Sequence, residues 1–216
     1  MKKLLVVALL LVMSANFNIF AQPVSGSKAI LFQFSGLSFL QANEFEGGAG
    51  AKYFLNNRIA VRGLVKFSNS SSVTPWNGVS AGNDGESSTT MLGLGAAVQY
   101  YMTIGEMSPY FGGGAAFSTT SSETKSAYPN GGSQTVTKDD PATNAGTRID
   151  VYALLGVEYF IKENISLSAE YRLGYGSLSR ADYSITSGGT TTTTKQGSSS
   201  SLGINSQGLL TIAFYW

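Results

Sequence analysis

The chain has 216 residues with no Cys and no His, 14 Lys+Arg against 13 Asp+Glu, and only 12% charged residues. Lack of Cys excludes disulfides and thiolate chemistry, and lack of His excludes imidazole bases, Ser-His-Asp triads and His metal ligands. The balanced charge leaves no basic excess for nucleic acid, while 26 Gly, 29 Ser and 18 Thr make small residues dominant.

Residues 1–21 open with Lys2 and Lys3, continue with the apolar run Leu4–Met13 and end on Ala21. That order is the pattern of a secretory signal peptide, and ten apolar residues are too few for a spanning helix, which needs about 20. Cleavage near Ala21 leaves residues 22–216 as one domain. No later segment has 18 consecutive apolar residues, so the mature chain offers no transmembrane helix.

Beyond the leader the pattern has period two, as in strands with two unlike faces. Eight strands are predicted at 28–38, 46–55, 58–69, 88–102, 109–120, 146–161, 165–178 and 201–216. In the third, Ile59, Val61, Val65 and Phe67 oppose Arg58, Arg62 and Lys66. In the sixth, Ile149, Val151, Ala153, Leu155, Val157, Tyr159 and Ile161 oppose Arg148, Asp150 and Glu158. The seventh sets Ile165, Leu167, Ala169, Tyr171, Leu173 and Tyr175 against Ser166, Ser168, Glu170 and Arg172. The last sets Leu210, Ile212, Phe214 and Trp216 against Leu209, Thr211, Ala213 and Tyr215.

The connections differ in length by end. Asn56–Asn57, Thr103–Ser108 and Lys162–Asn164 are short, whereas 70–87, 121–145 and 179–200 are long and rich in Ser, Thr, Gly and Asn. Phe39–Phe45 is short but lies on the long side. The composition of the long connections, notably Ser187–Thr194, predicts mobile loops without a core of their own. Alternating short turns and long loops is the layout of an outer-membrane barrel, in which about 9–11 tilted residues cross the bilayer. The fold class expected is therefore all-β, an eight-stranded antiparallel up-and-down transmembrane β-barrel.

A repeat runs through the hairpins: Gly50–Ile59 aligns without gaps on Gly156–Ile165, and Ala97–Met102 is a weaker copy. Each copy places an aromatic pair beside a short turn. Tyr53, Tyr100, Phe111 and Tyr159 are predicted to form an interface belt, and Tyr110, Phe214, Tyr215 and Trp216 fall at the same level.

The hairpin Gly156-Val-Glu-Tyr-Phe…Asn164-Ile-Ser-Leu-Ser-Ala-Glu170-Tyr171-Arg172 and the ending Phe214-Tyr215-Trp216 resemble small outer-membrane barrels of the OmpA/OmpX type. The resemblance implies that the C-terminal strand, through Leu210, Ile212, Phe214 and Trp216, is read by the barrel-assembly machinery. Members often end in Phe, so Trp216 is a departure. No peptidoglycan-binding domain is expected after the barrel. The barrel enzymes of this kind use a His that this chain lacks.

Alternation alone does not say which face is inside, and a soluble ligand-binding barrel would reverse it. The signal segment, the aromatic belt and the low charge favour apolar residues outside, facing outer-membrane lipid. Lys52, Arg62, Lys66, Asp150, Glu158, Glu170 and Arg172 are then expected to form a lumen charge network, because an interior eight strands wide holds only side chains. Gly93, Gly95, Gly112, Gly114, Gly174 and Gly176 share that parity and leave room for long neighbours. Asp150, Glu158 and Glu170 could be drawn as an acid–base set, but pairing with the cations is the simpler reading. Gly93–Gly95 lacks the strand–turn–helix context of a dinucleotide site. No catalytic, cofactor or metal residue is therefore predicted.

The function expected is a non-enzymatic, monomeric bacterial outer-membrane protein with a largely plugged lumen. Its loops 70–87, 121–145 and 179–200 are expected to serve envelope structure or to bind an extracellular ligand. A narrow porin-like channel is the alternative, and a soluble ligand-binding barrel the next.

Overall fold

The computed structural model describes residues 24–35, 45–78 and 80–216. The signal segment 1–21, the end of the first predicted strand at 36–38 and nearly all of the Phe39–Phe45 connection lie outside the described residues.

Thirteen strands account for most of the described chain. In chain order they are β1 (Lys28–Ser35), β2 (Phe45–Phe54), β3 (Ile59–Thr74), β4 (Gly82–Asn83), β5 (Gly85–Tyr101), β6 (Met107–Lys125) and β7 (Tyr128–Pro129), followed by β8 (Val136–Lys138), β9 (Gly146–Lys162), β10 (Ile165–Arg180), β11 (Tyr183–Ser187), β12 (Thr190–Thr194) and β13 (Ser198–Tyr215). One turn of 3-10 helix sits at Pro141–Thr143. No helix of the described residues is long and apolar enough to cross a membrane, a fact that says nothing about crossing by strands.

All strand pairing is antiparallel. Each of the eight long strands has two long neighbours: β1 pairs with β2 and β13, β3 with β2 and β5, β6 with β5 and β9, and β10 with β9 and β13. The ladders are nearly continuous, with a register shift between Glu170 and Arg172 where β10 meets β13. Pairing of neighbours in sequence follows from the short turns. At residues 55–58 the Asn56 side chain accepts hydrogen bonds from the backbone N–H groups of Arg58 (2.8 Å) and Ile59 (2.9 Å), an Asx turn that reverses the chain.

The two faces are chemically opposite, and inverted relative to a water-soluble protein. Leu94, Ile149, Leu155, Ile161, Tyr171 and Leu173 are all more than half exposed. Lys52, Arg62, Glu158, Glu170 and Arg172 are all buried. A soluble monomer rarely leaves an apolar surface this continuous in water.

The long connections are not irregular, and here the structure corrects the sequence reading. β3, β5 and β6 run well past the predicted strand ends, β10 reaches Arg180, and β13 begins at Ser198. β8 pairs with both β6 and β11, β11 with β12, and β4 with β7. In β12, a run of five threonines, β-branched side chains favour extended backbone even though the stretch is hydrophilic, while the serine-rich extensions continue the ladders of their neighbours. The β11–β12 turn is Gly188–Gly189 with φ of 56° and 81°, values that a two-residue hairpin turn requires and that glycine adopts freely. In the connection between β3 and β5, Trp76 donates from Nε1 to the Ser80 carbonyl (2.8 Å) while its backbone N–H reaches Asp84 Oδ1 (2.8 Å).

Candidate functional site

The adjacent aromatics noted in the sequence divide between the faces. Tyr53, Phe111 and Tyr159 are exposed on the apolar face, and Tyr100 is half-buried there with its ring 5.3 Å from Phe111. Their neighbours Phe54, Tyr101, Tyr110, Phe160 and Tyr215 are buried on the opposite one. Tyr110 and Tyr215, which the sequence reading placed with the belt, belong instead to this buried layer. Period two forces the split, because consecutive residues of a strand point to opposite sides. Ring centroids lie 5.2 Å apart for Phe54–Tyr101, 5.3 Å for Tyr101–Tyr110, 5.5 Å for Phe160–Tyr215 and 6.3 Å for Phe54–Tyr215. The layer lies at the short-turn end of the strands.

The phenols of this layer reach two buried carboxylates. Glu158 accepts from Lys52 Nζ at 2.9 Å, from the Tyr101 hydroxyl at 2.6 Å, from the Tyr215 hydroxyl at 2.6 Å and from the Ser166 hydroxyl. Lys52 also donates to the Tyr101 oxygen at 3.0 Å and the Tyr215 oxygen at 3.2 Å. An ion pair out of water holds only when its remaining hydrogen-bond capacity is met, and the two phenols and one serine meet it here. Glu170 forms the second group: Arg62 Nη2 donates at 2.9 Å, Arg172 Nε at 2.7 Å and the Tyr110 hydroxyl at 3.2 Å. The Arg172 guanidinium stacks 4.4 Å from the centre of the Tyr152 ring.

Of the seven charged residues singled out in the sequence, five therefore meet in two adjoining groups. Asp150 stands apart, paired with Arg148 at 2.8 Å toward the long-connection end, with 28% and 45% of the two side chains exposed. Lys66 is half-buried, its stem running beside Gly48 and Gly93. Lys52, Arg62 and Arg172 face two carboxylates, which leaves this buried set with one net positive charge. Glu158 and Glu170, saturated with donors, are poorly suited to general base work, which needs a reachable substrate proton.

Glycines make room for these large side chains. A Cβ on Gly156 would lie 2.5 Å from the Tyr110 ring, and one on Gly114 would lie 2.8 Å from the Tyr152 hydroxyl. One on Gly174 would meet the Tyr152 Cβ at 2.9 Å.

Sequence reasoning missed the buried aromatic layer and the polar residues Gln33 and Gln99 of the same face, and it gave no role to Ser166, Ser168 and Thr211, which it had set on that side of their strands. The tandem aromatic pairs were the readable sign of the first. Gln33 Nε2 donates to Thr211 at 3.3 Å. Gln33 Oε1, both amide atoms of Gln99, Arg62 Nε and Arg172 Nη2 have no hydrogen-bond partner among the described residues. No group of three or more acidic residues with a metal-binding arrangement occurs among the described residues.

At the C-terminal strand, Leu210, Ile212 and Phe214 are half-buried and Trp216 exposed, while Leu209, Thr211, Ala213 and Tyr215 are buried. Phe214 packs edge-on against Phe32 of β1 at 6.1 Å.

The family model described as the outer membrane protein beta-barrel domain matches residues 5–205. No curated relative matches the chain. Among solved structures, Ail, the attachment invasion locus protein of Yersinia pestis, shares 11% identity over 89% of this chain and 100% of its own, with a TM-score of 0.44. The N-terminal β-barrel domain of Pseudomonas aeruginosa OprF shares 14% over 90% and 100%, TM-score 0.37. The outer membrane protein OprG of the same organism shares 11% over 91% and 99%, TM-score 0.46.

Proposed function

This chain belongs to the outer membrane protein beta-barrel domain family, and we propose that it is a closed, eight-stranded, non-enzymatic barrel with a sealed lumen. Within the bacterial outer membrane its role is to stabilise the envelope and present the long connections at the cell surface. The observation that carries this reading is the inversion of the two faces. Charged pairs occupy the buried side, while Leu, Ile, Val, Phe and Tyr side chains are displayed outward. That arrangement is unfavourable in water and favourable in hydrocarbon, where lipid replaces the missing core. Closure is supported by the circuit of pairing, in which the partner of β1 on one side is β13 and every long strand has two neighbours. A closed sheet leaves no unpaired edge in lipid.

The buried aromatics and the two carboxylate groups lie one above the other across that interior. Eight strands enclose a space that side chains fill, so this stack blocks passage. One observation favours a second reading, a narrow conducting path: the unbonded Gln99, Gln33, Arg62 and Arg172 atoms are buried polar groups that water would satisfy.

Further parts of the proposal concern partners. Residues 1–21 direct secretion and are removed near Ala21. The outward row Leu210, Ile212, Phe214 and Trp216 serves the barrel-assembly machinery, and Tyr53, Tyr100, Phe111 and Tyr159 sit at the lipid–water boundary. The protein acts as a monomer, and the extended strand ends around 70–87, 121–145 and 179–200 form the surface that meets an extracellular ligand.

Membrane fractionation with a heat-dependent gel shift tests the class. The unboiled protein is expected in the outer-membrane fraction, migrating faster than the boiled one. Recovery in the soluble fraction with no shift would favour a soluble barrel and overturn the reading.

A further inference from the structure

The sealed stack does not fill the whole interior. On the long-connection side of Glu170 lies a cavity of about 440 Å³, walled by side chains from β3, β5, β6, β9, β10 and β13. Register explains the gathering: Ser118 pairs with Arg148, Arg148 with Leu178, and Leu178 with Ser199, while Gly176 pairs with Ser201. Partners directly opposite in an antiparallel ladder share a face, so these side chains enter the same space. The hydroxyls of Ser68, Thr89, Ser118, Thr120, Ser199 and Ser201 make no hydrogen bond among the described residues.

Arg148 is the charged residue of the lining. Asp150 grips its Nε at 2.9 and 3.0 Å and its Nη2 at 2.8 Å, fixing the plane of the guanidinium and leaving Nη1 without a partner among the described residues. Gly176 is required for this placement, because a Cβ there would collide with both side chains of the pair. Thr143 and Asn144 close part of the opening. They are held by Ser122 on Thr143 at 2.8 Å and by Arg180 donating to the Pro141 carbonyl at 2.9 Å. The space therefore offers many hydroxyls and one oriented guanidinium.

We propose that this vestibule binds a small solute bearing one oxyanion and several hydroxyls, a sugar phosphate in chemical class. The oxyanion sits on Arg148, where a charge-assisted bond is strongest, and the Ser and Thr walls exchange hydrogen bonds with the sugar. The inference rests on the closed-barrel reading, since the walls are the barrel's own strands.

Calorimetric titration of the folded protein in detergent, at matched ionic strength, tests it with glucose 6-phosphate, glucose and inorganic phosphate. Glucose 6-phosphate is expected to bind at least tenfold more tightly than either fragment. Arg148→Ala should abolish its advantage over glucose. Asp150→Asn, which keeps an acceptor on the guanidinium but removes the competing carboxylate charge, should strengthen it severalfold, an effect a merely structural pair would not produce. Gly176→Leu, or Ser201→Leu if the first does not fold, should remove binding of all three. The heat-dependent gel shift of each protein reports folding separately. Equal binding of glucose and glucose 6-phosphate, no binding by protein that shows the shift, or binding indifferent to Arg148→Ala would overturn the vestibule. Absence of the shift in the native protein would instead overturn the barrel beneath it.

Discussion

Glu158 is the residue on which the interior depends most. Four donors converge on it from β2, β5, β10 and β13, so strands distant in sequence are tied at a single carboxylate. Removing one partner of a buried pair is worse than never having built it, because the surviving charge stays desolvated. Glu158→Gln leaves Lys52 in that position. The substitution is expected to lower stability by about 3–5 kcal/mol, read as an earlier midpoint of urea unfolding in lipid vesicles. A midpoint unchanged from wild type would mean that Lys52 finds water, and that the interior is wetter than the packed aromatics imply.

Residue-level legibility was uneven for a physical reason. Parity assigns every strand residue to a face, so Lys52, Arg62, Glu158, Glu170 and Arg172 could be collected on one side from spacing alone. Height along the strand is not encoded by parity. Asp150 shares the face of Glu158 but lies eight residues farther from the short turn, where Arg148 is its nearest cation. The aromatic pairs were visible as a repeat, but their level was read as one belt when alternation splits each pair between lipid and interior.

Among the elements, the long strands exceed what a bilayer requires. β3, β5, β6, β9, β10 and β13 have 16 to 19 residues, against roughly 9–11 for a crossing. The surplus stands beyond the hydrocarbon. In β3 the alternation of burial ends near Asn69, after which both faces are exposed. These outer ends are stapled by short strands and by charge: Glu123 contacts Lys125 at 3.2 Å and Lys138 of β8 at 3.4 Å. The Lys125 ammonium, and then Lys138, hold the Glu123 carboxyl below its ordinary range. A carboxyl lowered in the folded state contributes stability above its unfolded pKa and loses it as pH falls through the folded value. The β6–β8 rung is therefore expected to be tight at pH 7 and to loosen below about pH 4. Hydrogen exchange at β8, compared with Glu123→Gln, checks this: the variant should show the loosened state at both pH values. Equal protection of the wild type at pH 7 and pH 3 would rule the link out.

The cores of the eight strands were legible because alternation is strong where one face meets apolar surroundings. It fades where both faces are wet, which is why 70–74, 121–125 and 183–194 read as loops. Ser187-Gly-Gly-Thr190 nevertheless carried the usual sign of a tight hairpin, two glycines between β-branched runs. Its Ser, Gly and Thr content reads as a flexible tract, whereas the glycine pair sets the turn.

The whole molecule is a sheet turned inside out, with polar pairs within and apolar rings without. Composition already pointed that way: 12% charge is too little to cover a water-facing surface and enough to staple an interior. What composition does not specify is whether the interior passes solutes. In the closed barrel we propose, the aromatic layer from Phe54 to Tyr215 and the two carboxylate groups stand in series, so conduction would have to breach both. Single-channel recording in planar bilayers tests the sealed lumen most directly. The native protein is expected to be electrically silent, and Glu170→Ala, which releases Arg62 and Arg172, to show intermittent openings. Steady conductance from the native protein would contradict the account.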